Sequence, residues 1–169
     1  MRLLAIILFG AIMSGCAFRN EEADLIVHNA VIYTCADDGR IYDAMAIKDG
    51  KILEIGPERQ IMNKYVSDNV IDNKLRAVYP LFIGNERQPL KAFIKMTKEF
   101  EQEDSERHDV LNTLTRFAAI EEMEEETRGT LEKGKEADFF ITDGDLVKLP
   151  ASSLSKVVVV ATYNDGKEL

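Results

Sequence analysis

Ala44-Met45-Ala46-Ile47-Lys48-Asp49-Gly50-Lys51-Ile52-Leu53-Glu54-Ile55 decides the fold class of the first half of the chain. Two β-rich runs flank Asp49-Gly50. That dipeptide favours a tight hairpin, because both central residues of such a turn need positive φ. Gly56-Pro57 then stops the return strand, and Glu58 to Tyr65 reads as a short helix. Upstream, Asp24 to Tyr33 is β-rich, and Asn29-Ala30 at its centre predicts a bend or two short strands. Downstream, Asn69–Asp72 and Leu75–Tyr79 are strand candidates on either side of Asn73-Lys74. Closely spaced strands joined by turns predict a sandwich or a small barrel.

The middle of the chain changes period. Leu90, Phe93, Ile94 and Thr97 fall on one helical face, and Val110, Leu111, Leu114, Phe117, Ala118 and Glu121 repeat the spacing. Between them the acidic stretch from Glu99 to Asp109 reads as a helix end and a loop. Glu121 to Glu126 carries five glutamates around Met123 and reads as a solvated helix face or helix end. The last third returns to strands: Phe139–Thr142, then a turn at Asp143-Gly144-Asp145, a helical turn at Pro150–Leu154, and Lys156–Tyr163. Asn164 to Lys167 turns the chain once more. The class is therefore α+β: a β-sandwich or small barrel with two or three helices.

Composition narrows function. The chain has 169 residues, enough for one ordinary domain, and a formal net charge of −9. That net charge disfavours nucleic acid as a partner, because a phosphate-binding surface needs clustered Lys and Arg. Two cysteines and two histidines leave no disulfide framework and no multi-histidine metal centre. His28 lies in an apolar strand and reads as a structural histidine. His108 follows Arg107 in the acidic linker and reads as exposed. Cys35 closes an apolar run and reads as a small core residue, not a nucleophile. Lys133-Gly134-Lys135 reads as a structural turn rather than an anion site. No Gly-rich loop opens a helix, so a nucleotide phosphate site is not indicated.

Arg2 followed by Leu3 to Ile12 has the charged start and apolar core of a secretion signal, too short for a bilayer of about 30 Å. Met13-Ser14-Gly15-Cys16 resembles a bacterial lipobox. The resemblance implies lipidation of Cys16 and anchoring at the membrane surface. Residues 1–16 are then a lipoprotein signal peptide, 17–22 a tether, and 23–169 one domain with a helical insert at about 88–126. The location implied is the cell envelope, facing periplasm or exterior.

Two stretches resemble the ends of an amidohydrolase-superfamily enzyme. One is Ala23 to Thr34 followed by the Asp-Gly hairpin at Ala46–Gly56. The other is Arg128-Gly-Thr-Leu-Glu-Lys-Gly-Lys-Glu-Ala-Asp-Phe-Phe-Ile141, which follows the family's G-x-L-x-x-G-K-x-A-D pattern, and Val160 to Lys167 resembles its last hairpin. The amidohydrolase-3 group is the most similar. Between such ends the family carries a β/α barrel of about 250 residues, for which this chain leaves no room. The barrel's opening motif, P-G-F-I-D-x-H-x-H, corresponds to Pro80-Leu81-Phe82-Ile83-Gly84-Asn85-Glu86-Arg87-Gln88. Glu86 and Gln88 stand at the two metal-binding histidine positions. Glu86 is a weak metal candidate through oxygen, and Gln88 is a poor zinc ligand. The expectation is no catalytic residue and no cofactor in an isolated chain that works as a binding or interaction module or is a remnant. A homodimer or another protein is the partner. The alternative is a zinc-dependent hydrolase of non-peptide C–N bonds, active only with a partner chain or as an oligomer.

Overall fold

The computed structural model describes residues 20–100 and 107–169. Two sheets stack face to face. The smaller has the order β6-β5-β2-β8, from β2 (Leu25–His28), β5 (Ala44–Lys48), β6 (Lys51–Gly56) and β8 (Val70–Asp72). The larger has the order β12-β11-β10-β9-β3-β4. Its strands are β3 (Val31–Tyr33), β4 (Ile41–Tyr42), β9 (Ala77–Pro80), β10 (Phe139–Thr142), β11 (Val159–Asn164) and β12 (Lys167–Glu168). A two-stranded parallel pair, β1 (Glu21–Glu22) with β7 (Tyr65–Val66), lies beside them. There is no closed barrel among the described residues, so the sandwich form of the expected α+β class is the one observed.

Strand periodicity sorts the side chains into layers. Leu25, Val27, Met45 and Ile47 of the small sheet meet Ile32, Val78, Phe139 and Ile141 of the large one between the sheets. Ile26, Ala44 and Ala46 point the other way, onto Ile61 of α1 (Glu58–Lys64). Tyr33, Tyr79 and Phe140 face the helices instead. These are α2 (Pro89–Phe100) and one run made of α3 (Arg107–Asn112), a π-helical segment (Thr113–Phe117) and α4 (Ala118–Glu122). Phe93, Val110, Leu111 and Leu114 close that core. A last helical turn, α5 (Ala151–Leu154), adds Leu154 to it. β9 from the first half of the chain pairs with β10 from the second, so the larger sheet is completed by strands from both halves.

The turns explain themselves locally. Asp49 and Gly50 both have positive φ (50° and 77°), as the hairpin requires. Asn29 (φ 51°) breaks the first β run into β2 and β3. Three expected boundaries shift. The strand read from Leu75 begins at Ala77, because Lys74 and Leu75 adopt left-handed turn conformations. The strand read from Asn69 begins at Val70. The strand read from Lys156 begins at Val159, because the Val157 N–H closes a turn onto Leu154 O at 3.2 Å and the Val158 N–H donates to Asp143 Oδ1 at 2.9 Å. Helix α2 ends at Phe100, inside the stretch expected to hold a helix end; Arg107 to Asp109 of the expected loop already belong to α3, and residues 101–106 lie outside the described residues. Met13 to Cys16, with the lipidation site, also lies outside them.

Candidate functional site

The stretch Gly129 to Asp138 is built as structure. Gly129 (φ +89°) lets the chain pass against the helical run; a Cβ there would stand 2.5 Å from the Ala119 Cβ. Leu131 is fully buried, and its N–H donates to Thr34 O at 2.9 Å. Gly134 (φ +90°) donates to Ile52 O at 2.8 Å, and Ala137 N–H donates to Gly50 O at 2.8 Å. Lys135 Nζ lies 2.6 Å from Thr130 Oγ1 and 3.2 Å from Glu132, so its ammonium is satisfied inside the turn. Asp138 is buried, and its Oδ1 accepts from the Asn164 amide and the Asp165 N–H, each at 2.8 Å.

Leu81 N–H donates to Asp138 O at 3.0 Å, which sets the second stretch beside the first. Phe82 is fully buried, with its ring edge-on to Phe140 at 4.9 Å and stacked on Phe93 at 6.3 Å. Ile83 N–H then donates to Leu114 O at 3.1 Å. Gly84 (φ +71°) turns the chain outward, and the Gln88 N–H returns to Asn85 O at 3.1 Å before α2 begins. A cleft of about 540 Å³ opens here, lined by Gly84 to Gln88 with Lys91, Ala92 and Lys95.

Glu86 sits on the rim of this cleft. Its Oε1 accepts from the Gly84 N–H at 2.9 Å and lies 3.6 Å from Arg128 Nη2. Arg128 in turn lies 3.3 Å from Glu124 and 3.9 Å from Asp138. Gln88 is exposed. Neither histidine comes near: His28 Nδ1 lies 3.0 Å from Glu58 Oε1, and His108 is exposed on α3 with its ring 6.0 Å from Tyr33. Cys35 is buried under the helices, and burial pushes its thiol up to about 12, which keeps it protonated at neutral pH.

One carboxylate cluster has the spacing of a metal site: Glu136, Asp138 and Asp165 bring oxygens within 4.8 Å of one another. Sequence reasoning missed it, because its members come from a strand edge and a remote turn. Burial, then the charges of Asp138 and Asp165, raises the Glu136 carboxyl above its ordinary value. An all-oxygen set suits a hard cation, not zinc. Asp138 Oδ1 is already committed to two N–H donors, with the Arg128 guanidinium beyond its other oxygen. Neither this cluster nor Glu86 with Gln88 fits a catalytic zinc, which takes three nitrogen-rich protein ligands and keeps one open position.

Residues 92–169 match the sequence profile of the amidohydrolase family (Amidohydro_3). Over that span, a little under half of the chain, the sequence is similar to this family. No curated protein matches the chain. Among solved structures it is similar to an adenosine deaminase from Xanthomonas campestris with bound zinc. That likeness has 16% identity and a TM-score of 0.35, and it covers 38% of this chain and 15% of that one. It is also similar to an amidohydrolase from Thermotoga maritima, with 26% identity and a TM-score of 0.40, covering 50% of this chain and 21% of that one. The chain thus spans about a fifth or less of these enzymes. The stretch Gly129–Asp138 lies inside the matched span.

Proposed function

We propose that this chain is an amidohydrolase-related envelope lipoprotein that binds a partner and does not hydrolyse a substrate. The observation that carries the reading is the state of Glu86. At the first metal-binding position of the superfamily's opening motif it is held by the Gly84 N–H and by Arg128, with an exposed Gln88 at the second. Amide hydrolysis by this superfamily needs a metal-activated water, which takes a rigid ligand set with an open position. The lipobox-like Met13 to Cys16 supports anchoring through acyl chains on Cys16. No helix of the described residues is long and apolar enough to cross a membrane.

Bound metal in protein purified without chelator tests the reading. Less than about 0.1 zinc per chain in a cooperatively folded protein is expected. About one or two per chain, with hydrolysis of N-acyl or cyclic amides, would overturn it in favour of a metal-dependent hydrolase completed by a partner chain. Intact mass supplies the second arm. A diacylated Cys16 as first residue is expected, and Cys16→Ala should abolish membrane association.

A further inference from the structure

Charge on the helical side is segregated into adjoining patches. The chain is acidic overall, yet Arg87, Lys91, Lys95 and Lys98 are all exposed along the cleft and α2. Lys91 and Lys95 stand one helical turn apart and share a face. The helical run that follows ends in the opposite sign: Glu121, Glu122, Glu125 and Glu126 are exposed around Met123. Met123 is 88% exposed, Ile120 50% and Phe117 44%, so an apolar strip runs into the acidic end. Arg128 links the patches, because it reaches both Glu124 of the acidic run and Glu86, which lines the same cleft as Lys91 and Lys95. Among the described residues, Lys91, Glu121, Glu122, Glu125 and Glu126 enter no ion pair within the chain.

We propose that a second copy of this chain docks on this face about a two-fold axis. The basic face of each copy then lies over the acidic run of the other, which also carries the exposed Ile120 and Met123. A two-fold contact uses the same surface on both copies, so one adjoining pair of opposite patches is self-complementary. A uniformly anionic surface, such as a phospholipid leaflet, satisfies the lysines and repels the glutamates beside them. Only a surface carrying both signs in reversed order satisfies both. Charge sets the encounter rate and register, while the apolar strip, freed from water, supplies the core of the contact. The proposal names the partner for the interaction role given above and rests on that reading.

The test uses two differently tagged full-length copies, co-expressed and captured through one tag in non-ionic detergent. Mutual capture is expected, and it should fall several-fold between about 0.05 and 0.5 M salt as the charges are screened. K91E/K95E in both copies, or E121K/E125K in both, should each lower capture about tenfold or more, because like charges then face each other. Mixing a K91E/K95E copy with an E121K/E125K copy should restore it, since both patch pairs are again of opposite sign. All four positions are exposed, and unchanged thermal unfolding confirms that each variant folds. Absence of wild-type capture, indifference to both double variants, or failure of the mixed pair to recover overturns the proposal. So does a monomer that binds phosphatidylserine vesicles through Lys91 and Lys95. A dimer that also carries zinc and hydrolyses amides keeps this contact and overturns the non-catalytic reading. A metal-free monomer overturns the contact alone.

Discussion

Gly129–Asp138 and Pro80–Gln88 lie side by side, joined by the Leu81 N–H to Asp138 O bond, and they differ in what fills them. In the first, Gly129, Leu131, Gly134, Lys135, Ala137 and Asp138 each meet a steric or hydrogen-bonding need of the sandwich. In the second, the packing positions hold, with Phe82 buried among rings. At its outer end Glu86 is a rim residue paired to Arg128, and Gln88 is exposed. Apolar and turn residues hold the sandwich whether or not polar residues beside them can hold a metal.

The difference is sharpest in stability. Phe139→Ala should cost about 3–5 kcal/mol, because the ring is fully buried between the sheets and stacks on Tyr163 at 4.5 Å. Urea unfolding measures it, and a cost below about 1 kcal/mol would show the two sheets to be loosely joined. Gly129→Ala should cost about 3 kcal/mol, from positive φ and the collision with Ala119 together. The same change at Gly84, also at positive φ but with open space around it, should cost only the backbone strain of about 1 kcal/mol. Equal losses at the two glycines would erase the contrast between the stretches.

Asp145→Ala should cost about 1–3 kcal/mol. Its carboxylate accepts from the Tyr33 hydroxyl at 2.8 Å and from the Val147 N–H at 2.9 Å, and Tyr79 oxygen takes the Leu146 N–H beside it at 2.8 Å. The polar end of the helix-side core therefore unravels with that one side chain. Thermal unfolding of the variant, with near-ultraviolet circular dichroism following the stacked Tyr33 and Tyr79 rings, checks it.

A smaller effect appears with pH. Lys64, first, and then Gln60 and Tyr65 hold the Glu54 carboxyl down to about 2, against the opposing influence of burial. Its folded-state pKa is depressed, so its contribution is present above the unfolded value near 4.5 and is lost as pH falls toward about 2. Glu136 is shifted the other way, so its protonation favours the folded state and offsets part of that loss. Midpoints of unfolding measured from pH 5 to 2 should fall less steeply in E54Q than in the wild type, and more steeply in E136Q.

The smallest change is expected at the rim of the cleft. Glu86→Ala should alter stability by less than about 1 kcal/mol, because it removes a rim ion pair and one backbone contact. A loss of bound zinc or of activity in that variant would return the stretch to the catalytic class.

Much of this molecule is written locally. Asp49-Gly50, Asn29 and Gly56-Pro57 specify turns within a few residues, and alternating apolar side chains set the face each strand buries. The period-3.6 spacing of Phe93 and Thr97, and of Val110, Leu111 and Leu114, placed both helical segments, but beyond Leu114 the π-helical Thr113–Phe117 shifts the register, so Phe117 and Glu121 are exposed and Ala119 is buried. What the sequence determined on its own is therefore most of the strands, the two helical segments and the faces they turn inward, while the short strands β1, β4 and β7 carry too little pattern to be read. The tertiary structure alone decided that β9 and β10 lie side by side. It also decided that Glu86 meets Arg128, that Asp138 caps the Asp165 turn, and that a basic helix face adjoins an acidic helix end. Those partners are distant in the chain, and no local propensity encodes a contact whose geometry exists only once both sheets have closed on a shared core.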